Sequence, residues 1–430
     1  MKILIVGNGG REHALLWKLR KDAPQASFYA TRPNPGMAPL ARAVDLAPDD
    51  VDGVAGWAEA EGITLTVVGP EVPLAEGIAE AFQRRRLPLF GPTSGAARLE
   101  SSKAFAKDLM QKAGVPTAAH RTFTSWPDAE AFIKESGAPI VVKASGLAAG
   151  KGAIVCETTD QALEAAREML EEGAFGDAGA SVVVEEFMEG EELSVFGVTD
   201  GRHVLLLVPS QDHKRIGEGD TGANTGGMGA YAPVPASTPE LLDRIRDEIF
   251  LPTLDAMEAQ GHRYRGLLYA GLMLTGQGPR VVEFNCRFGD PEAQVVLPLM
   301  EGPLLEHLVT VARGGSVTDT LLPTPERAAL NTVLASEGYP GSYEKGKEIQ
   351  IPDELAGADD ILVFHAGTAL EGDRLVTAGG RVLSVVGLGP DLAEARERSL
   401  QAAEAIRFPG KTFRRDIGWR ALEREVTPEA

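Results

Sequence analysis

Apolar and polar positions along the chain change period several times. In the first ninety residues, short apolar runs at 2–6, 27–30, 65–68 and 87–90 read as buried strands. Stretches of helical period at 11–20 and 73–86 separate them. Strand and helix in alternation specify an open parallel sheet with helices on both faces. An amphipathic helix over 101–113 follows, stopped by Gly114-Val115-Pro116. Strands are expected at 140–144 and 153–156, a helix at 161–172, and strands at 181–185 and 204–208. Residues 211–231 show no period and are rich in glycine, so a long structureless loop is expected there, bearing Asp212, Lys214 and Arg215 for a substrate. A helix over 239–259 and a strand over 266–274 come next. Past about 315 the character changes to strands at 329–334, 361–366 and 381–386, a long helix at 391–406 and a basic tail at 411–419.

One further strand carries the densest chemistry. Read with period two from Arg280, it puts Glu283, Asn285 and Arg287 on one face and Val282, Phe284, Cys286 and Phe288 on the other. Two oxygen donors beside a guanidinium suit a hard cation with phosphates: Mg²⁺ is held by one or two protein oxygens plus the substrate's own. Arg287 can grip a carboxylate or phosphate with two parallel hydrogen bonds.

Bulk numbers narrow the class. With 430 residues, several domains are expected. No apolar run is long enough to span a membrane, and the short apolar start reads as a strand rather than a signal peptide. Two distant cysteines, Cys156 and Cys286, argue for a reducing cytoplasm and against disulfides or a zinc site. A net charge of −20 excludes a nucleic-acid surface, so anionic ligands must be met by local clusters of Lys, Arg and backbone N–H.

Three loops offer such clusters. Gly7-Asn8-Gly9-Gly10-Arg11-Glu12-His13 joins the first strand to the first helix, where glycines let an anion approach a helix N-terminus. It departs from G-x-G-x-x-G because Glu12 occupies the third glycine position. Gly69-Pro70-Glu71-Val72-Pro73-Leu74 follows the third strand at the same sheet edge. Ser145-Gly146-Leu147-Ala148-Ala149-Gly150-Lys151-Gly152 lies between two strands, the first bearing Lys143. It is no Walker A loop: the spacing is short and a hairpin, not a helix, follows. It reads as a flap whose amides and lysines close over phosphates. Lys103, near a helix start, is a further phosphate candidate. The acidic run 185–192 reads as a linker whose backbone meets a base edge, with Glu192 for ribose hydroxyls.

In this order, Lys143, the flap, the 185–192 linker and Glu283-x-Asn285 resemble the ATP-grasp superfamily. The glycine-rich first loop, the Gly69–Leu74 segment, the flap, Asp212-His213-Lys214-Arg215, Gly226-Gly227-Met228-Gly229-Ala230-Tyr231, the segment 283–292 and the tail Arg414-Arg415-Asp416-Ile417-Gly418-Trp419 together resemble the phosphoribosylamine–glycine ligase family over nearly the whole chain.

That resemblance implies an α/β and α+β multidomain protein. It has an N-terminal Rossmann-like substrate domain (1–100), a central ATP-grasp domain (101–314, flap about 120–192) and a C-terminal α+β closing domain (315–430). It implies ATP-dependent joining of glycine to 5-phosphoribosylamine through glycyl phosphate in purine biosynthesis, with Mg²⁺ or Mn²⁺. Arg287, Lys214 and Lys151 take the catalytic roles. ATP is implied to meet Lys103, Lys143, Ser145, Gly146, Gly150, Lys151, Gly152, Glu185, Glu186, Phe187 and Glu192. The other substrates meet Gly9, Gly10, Arg11, Glu71, Asp212, Lys214, Gly229 and Arg287, and the metal meets Glu283 and Asn285. Many ATP-grasp enzymes carry a metal carboxylate on the preceding strand, and 267–274 holds none, which leaves the ligands of a second metal open. The expected partners are small molecules only, with a cytoplasmic monomer open to transient contact with neighbouring enzymes. Three rivals remain: a Rossmann oxidoreductase, which lacks an acid for the cofactor ribose at Thr31-Arg32-Pro33-Asn34; a non-catalytic nucleotide sensor; and an ATP-dependent carboxylase of a purine intermediate.

Overall fold

The computed structural model describes residues 1–148, 152–172, 176–355 and 357–426. Five parallel strands open the chain: β1 (Lys2–Val6), β2 (Ser27–Thr31), β3 (Arg42–Val44), β4 (Leu65–Val68) and β5 (Leu89–Phe90), in the order β3-β2-β1-β4-β5. Ile3, Leu4, Ile5 and Val6 are all fully buried, as a central parallel strand covered on both faces requires. The helix expected over 73–86 is two helices, Glu71–Ala75 and Ile78–Arg84. Gly77 breaks it by adopting a left-handed conformation at φ 88°.

The amphipathic stretch after residue 100 also divides. Ser102 caps the helix Lys103–Ala113 by accepting from the Phe105 amide, and left-handed Gly114 ends it. A four-stranded antiparallel sheet then forms from β6 (His120–Phe123), β7 (Ile140–Ala144), β8 (Ala153–Cys156) and β9 (Val182–Glu186), ordered β6-β9-β7-β8. The helices Trp126–Ser136 and Thr159–Leu170 cover it, enclosing a separate core of Phe123, Ile133, Val142, Met169 and Val184. A unit with its own small core can move as a body against the rest.

Next come β10 (Glu191–Thr199), β11 (Val204–Leu206), β12 (Gln211–Asp212), β13 (Arg215–Gly217), β14 (Thr221–Asn224), β15 (Gly229–Ala232), β16 (Gly266–Thr275), β17 (Gly278–Asn285) and β18 (Thr320–Leu321). Two sequence expectations need correction here. Glu191 and Glu192 do not lie in a linker; they begin β10, a central strand paired along its whole length with β16. The 211–231 stretch is not structureless either. β13 and β14 form a hairpin, and β12 and β15 pair with each other. Glycine-rich strands with few apolar side chains carry no readable period, which hid both.

The central sheet runs β17-β16-β10-β11-β18. The last region adds β19 (Ala328–Ser336), β20 (Ile361–His365), β21 (Thr368–Glu371), β22 (Arg374–Thr377), β23 (Arg381–Gly389) and β24 (Lys411–Thr412). Its sheet, β12-β15-β19-β23-β20, incorporates two strands from the middle of the chain, so it straddles residue 315. One buried apolar cluster continues from Leu4 through Phe250 and Phe284 to Leu330, tying N-terminal, central and C-terminal sheets together. Among the described residues no single helix is long and apolar enough to cross a membrane.

Candidate active site

The cleft is organised by β17, and a bulge there corrects the simple alternation. Leu272 of β16 faces Val281 and Gly271 faces Glu283, which leaves Val282 unpaired. The extra residue turns Val281 inward with Phe284 and Cys286, while Val282 is only half-buried. Glu283 and Asn285 keep a common outward face, and Arg287 lies just past the strand end. The bulged Val282 carbonyl accepts from Lys143 Nζ at 3.1 Å.

Neither the Glu283 carboxylate nor the Asn285 amide has a hydrogen-bond partner among the described residues. Burial opposes the Glu283 charge, but Lys214, Lys143, Lys103 and Arg287 outweigh it and hold the pKa below the ordinary carboxylate value. An ionised carboxylate and an amide oxygen with uncommitted lone pairs fit a hard divalent cation. No cluster of three or more His, Cys, Asp or Glu that could hold a metal occurs among the described residues.

A group of lysines sits beside this face. Lys143, on β7, donates to Glu185 Oε2 at 2.9 Å, and Lys107 reaches the same oxygen at 3.0 Å. All three are almost fully buried. Burial opposes the Glu185 charge, yet the two ammoniums keep its pKa low, while burial lowers the Lys107 pKa to about 8. The Glu185 side chain is thus committed to lysines. Lys103 donates to the Gly146 carbonyl at 3.2 Å, and its own amide bonds the Ser145 carbonyl at 2.7 Å. The Ser145 hydroxyl accepts from the Ala104 amide, so the base of the flap is hooked onto the start of the helix. Burial lowers the Lys103 pKa.

Arg287 is held on two sides. Nε donates to Glu71 at 3.1 Å and Nη2 pairs with Glu100 at 2.7 Å. Glu100 also accepts from the Cys286 amide at 2.8 Å, clamping the backbone next to Arg287. Arg11 is buried alongside: Nε binds Glu12 at 2.6 Å, Nη1 donates to the Phe288 carbonyl at 3.2 Å, and Glu71 lies 4.0 Å away. The loops after β1 and β4 meet here because Gly69 has no side chain. A Cβ there would fall 2.1 Å from Glu12 Oε1. Glu12 in turn accepts from the Gly9 amide at 2.6 Å, and Gly10 packs against Gln294.

The fourth group comes from β12 and β10. Lys214 pairs with Glu192 at 2.5 Å and stands 3.9 Å from Asp212. Asp212 Oδ1 is buried without a hydrogen bond. Burial, which Lys214 opposes and Glu292, Glu192 and Glu283 reinforce, pushes its pKa up to about 8. Beneath it, Tyr269 donates to Glu292 at 2.8 Å and contacts Ser194 at 2.9 Å.

The remaining sequence candidates sit as follows. Glu186 accepts from the Ala119 amide at 3.0 Å and from Arg280. Phe187 is 39% exposed, unusual for its size. Gly229 lies inside β15, where a Cβ would fall 2.5 Å from the Asn331 carbonyl. Gly146 and Gly152 pack against Ala178 and Ala148. Gly150 and Lys151 lie outside the described residues.

Sequence reasoning passed over several participants. Lys107 stands one helical turn after Lys103, a spacing that places both on one face and was readable. Glu100 and Tyr269 had no motif around them, and Glu292, at the end of the 283–292 motif, was given no role. Arg414 was read as part of a basic tail and of a family-like tail motif, with no role assigned to it. It is fully buried, bound to Asp220 at 2.8 Å, to Asp416 at 2.7 Å and to the Arg215 carbonyl at 3.0 Å.

Comparison with known proteins extends this geometry. Residues 1–100, 101–293 and 329–420 match the N, ATP-grasp (A) and C domains of phosphoribosylglycinamide synthetase. Phosphoribosylamine–glycine ligase of Salmonella typhimurium is 48% identical over 99% of this chain and 100% of its own, and that of Pseudomonas aeruginosa is 47% identical over 99% of each. The crystal structure of the phosphoribosylamine–glycine ligase of Thermotoga maritima superposes with a TM-score of 0.84 at 34% identity, over 97% of this chain and 100% of that one. A Campylobacter jejuni biotin carboxylase superposes at 0.73 with 17% identity, over 98% of this chain and 95% of that one, a likeness of fold alone. With all three domain matches in sequence order and full-length relatives near half identity, the chain belongs to the phosphoribosylglycinamide synthetase family.

Proposed function

We propose that this chain is an ATP-dependent ligase that joins glycine to 5-phosphoribosylamine, giving glycinamide ribonucleotide, ADP and phosphate in purine biosynthesis. The observation that carries the reading is the placement of Glu283 and Asn285, two uncommitted oxygen donors, between Arg287 and the Lys103–Lys143 pair. In this reading residues 1–100, 101–314 and 315–430 act as substrate, ATP-grasp and closing units.

Glu283 and Asn285 hold Mg²⁺ or Mn²⁺, which when bound offsets the charge of the nucleotide phosphates. Lys103, Lys143 and Lys151 line the phosphates, with Ser145, Gly146, Gly150 and Gly152 supplying the flap. Backbone groups of Glu185, Glu186 and Phe187 meet the adenine, the exposed Phe187 ring covers it, and Glu192 serves the ribose. The Glu185 carboxylate holds Lys107 and Lys143 in place. Arg287 aligns the glycine carboxylate for attack on the γ-phosphorus: an O–P bond forms and ADP leaves with its bonding pair. The phosphoribosylamine nitrogen then attacks the glycyl carbonyl, a C–N bond forms, phosphate departs, and the amine loses one proton. Gly9, Gly10, Arg11, Asp212, Lys214 and Gly229 serve the phosphoribosyl side. No covalent protein intermediate is needed, so catalysis is positioning and charge neutralisation. The closed flap keeps water from the acyl phosphate.

The test is ADP release with MgATP, omitting glycine or phosphoribosylamine in turn, the latter formed in place from ribose 5-phosphate and ammonia. Release that requires both substrates is expected. Release driven by bicarbonate instead points to a carboxylase, and no release with any mixture removes the enzymatic reading.

A further inference from the structure

Two carboxylates hold Arg287, and they are placed differently. Glu100 has both oxygens committed, one to the guanidinium and one to the Cys286 amide, and its side chain is only 7% exposed. Glu71 has one oxygen on Arg287 Nε, at 3.1 Å, and its side chain is 25% exposed. Among the described residues no other residue donates a hydrogen bond to its second oxygen, although the carboxylate also takes a hydrogen bond from the Glu71 backbone amide. Burial works against its charge, but Arg287 and Arg11 outweigh it and hold the carboxyl at about 2, so Glu71 is anionic throughout the neutral range. Around it, Arg11 and Arg287 face Glu12, Glu71 and Glu100, so carboxylates outnumber guanidiniums. A pocket for a simple carboxylate would carry the opposite surplus. An Arg beside a partly free Glu instead matches a zwitterion, whose carboxylate and ammonium are close neighbours.

We propose that Glu71 is the specificity-determining residue for the amino acid: the oxygen it does not give to Arg287 binds the ammonium of glycine while Arg287 binds the carboxylate. This rests on the ligase reading above. The contact has a chemical use beyond affinity. An amine kept protonated has no lone pair, so glycine held this way cannot attack the activated carboxyl group of a second molecule. The only free amine in the cleft is then that of the second substrate. Hydroxyacetate, which replaces the ammonium by a neutral hydroxyl, can donate one hydrogen bond to Glu71 but forms no ion pair with it.

The experiment measures the KM for glycine and inhibition by hydroxyacetate, in wild type and in Glu71→Gln, Glu71→Asp and Glu100→Gln. In Glu71→Gln the side-chain amide oxygen still accepts from Arg287, but the charge is gone. Glu71→Gln should raise the glycine KM by about 10- to 100-fold, the range for a lost charge-assisted hydrogen bond. It should change hydroxyacetate inhibition clearly less, by under about tenfold, since a neutral hydroxyl can still donate to the introduced amide oxygen and had no ion pair to lose. Glu71→Asp, which withdraws the charge without removing it, should fall between. Glu100→Gln, acting through Arg287, should weaken both ligands together. Equal weakening of both ligands by Glu71→Gln, or equal wild-type affinity for glycine and hydroxyacetate, would overturn the assignment while leaving the ligase reading intact. Wild-type ADP release that ignores glycine would overturn the ligase reading and this assignment with it.

Discussion

Arg414 donates from Nη1 to the backbone carbonyl of Arg215, 199 residues earlier in the chain, at 3.0 Å. The same guanidinium binds Asp220 and Asp416, Asp416 accepts from the Gly219 amide, and the Gly418 amide donates to His213 Nε2. The tail thereby holds the β13–β14 hairpin and the segment carrying Lys214. Opposite Arg215 the hairpin reaches the flap strand, where Asn224 donates to the Ala153 carbonyl at 3.4 Å.

Arg414→Ala should therefore cost about 3 kcal/mol of stability, because it takes the guanidinium from Asp416 and leaves Asp220 with Arg420 alone. Denaturant titration reads that loss. Arg414→Lys keeps the charge but lacks the fork, and should recover only part of it. Turnover in the folded variants should fall with an unchanged KM for ATP if the tail acts on the Lys214 side of the cleft.

Glu185 balances two buried ammoniums with one oxygen, leaving Oε1 without a partner. Removing it leaves Lys107 and Lys143 in mutual repulsion in a low-dielectric setting. Glu185→Ala should lose about 3–5 kcal/mol in urea unfolding. A double change with Lys107→Met should be milder than the single change, since it removes one stranded charge. A cost equal to the sum of the two single changes would refute the coupling.

Asp212 gives a pH signature. Its folded pKa of about 8 lies above the ordinary 3.8, so the folded state binds the proton more tightly than the unfolded chain does. The contribution to stability is full below pH 3.8 and erodes as pH rises toward 8. Asp212→Asn removes the titrating group. Its stability relative to wild type should climb across that window to a gain of about 2 kcal/mol, well below the single-group limit because Lys214 shares the charge. Thermal melts at several pH values, without substrates, check it. A constant offset would show that Asp212 does not titrate there.

Glu283→Gln should reduce metal-dependent turnover by at least about a hundredfold, on the scale of lost electrostatic stabilisation of a transferring phosphoryl group. Its effect on unfolding should be milder than that of Glu185→Ala, because the carboxylate bonds no other described residue and acts on the surrounding cations only through its charge. Activity equal to wild type would remove the metal role from this residue.

The alternation of apolar strands and helices made the N-terminal parallel sheet legible, because residues buried on both faces form continuous apolar runs, as Ile3 to Val6 do. Lys143, Glu283 and Asn285 were legible as candidates because period two on a strand is local geometry. Val282 defeated the same rule: a bulge depends on the partner strand, and nothing in its own sequence announces it.

What the sequence by itself determined is the local grammar of this protein: its strands and helices, the glycine loops, and the kinds of side chain available for phosphate, metal and carboxylate. The tertiary structure decided which of them meet. It brought Glu100 to Arg287, Lys107 to Glu185, and Arg414 to the hairpin, all between elements distant in the chain. The reason is physical. Period and propensity act over a few residues, whereas a buried charge finds its partner only when folding excludes water around both.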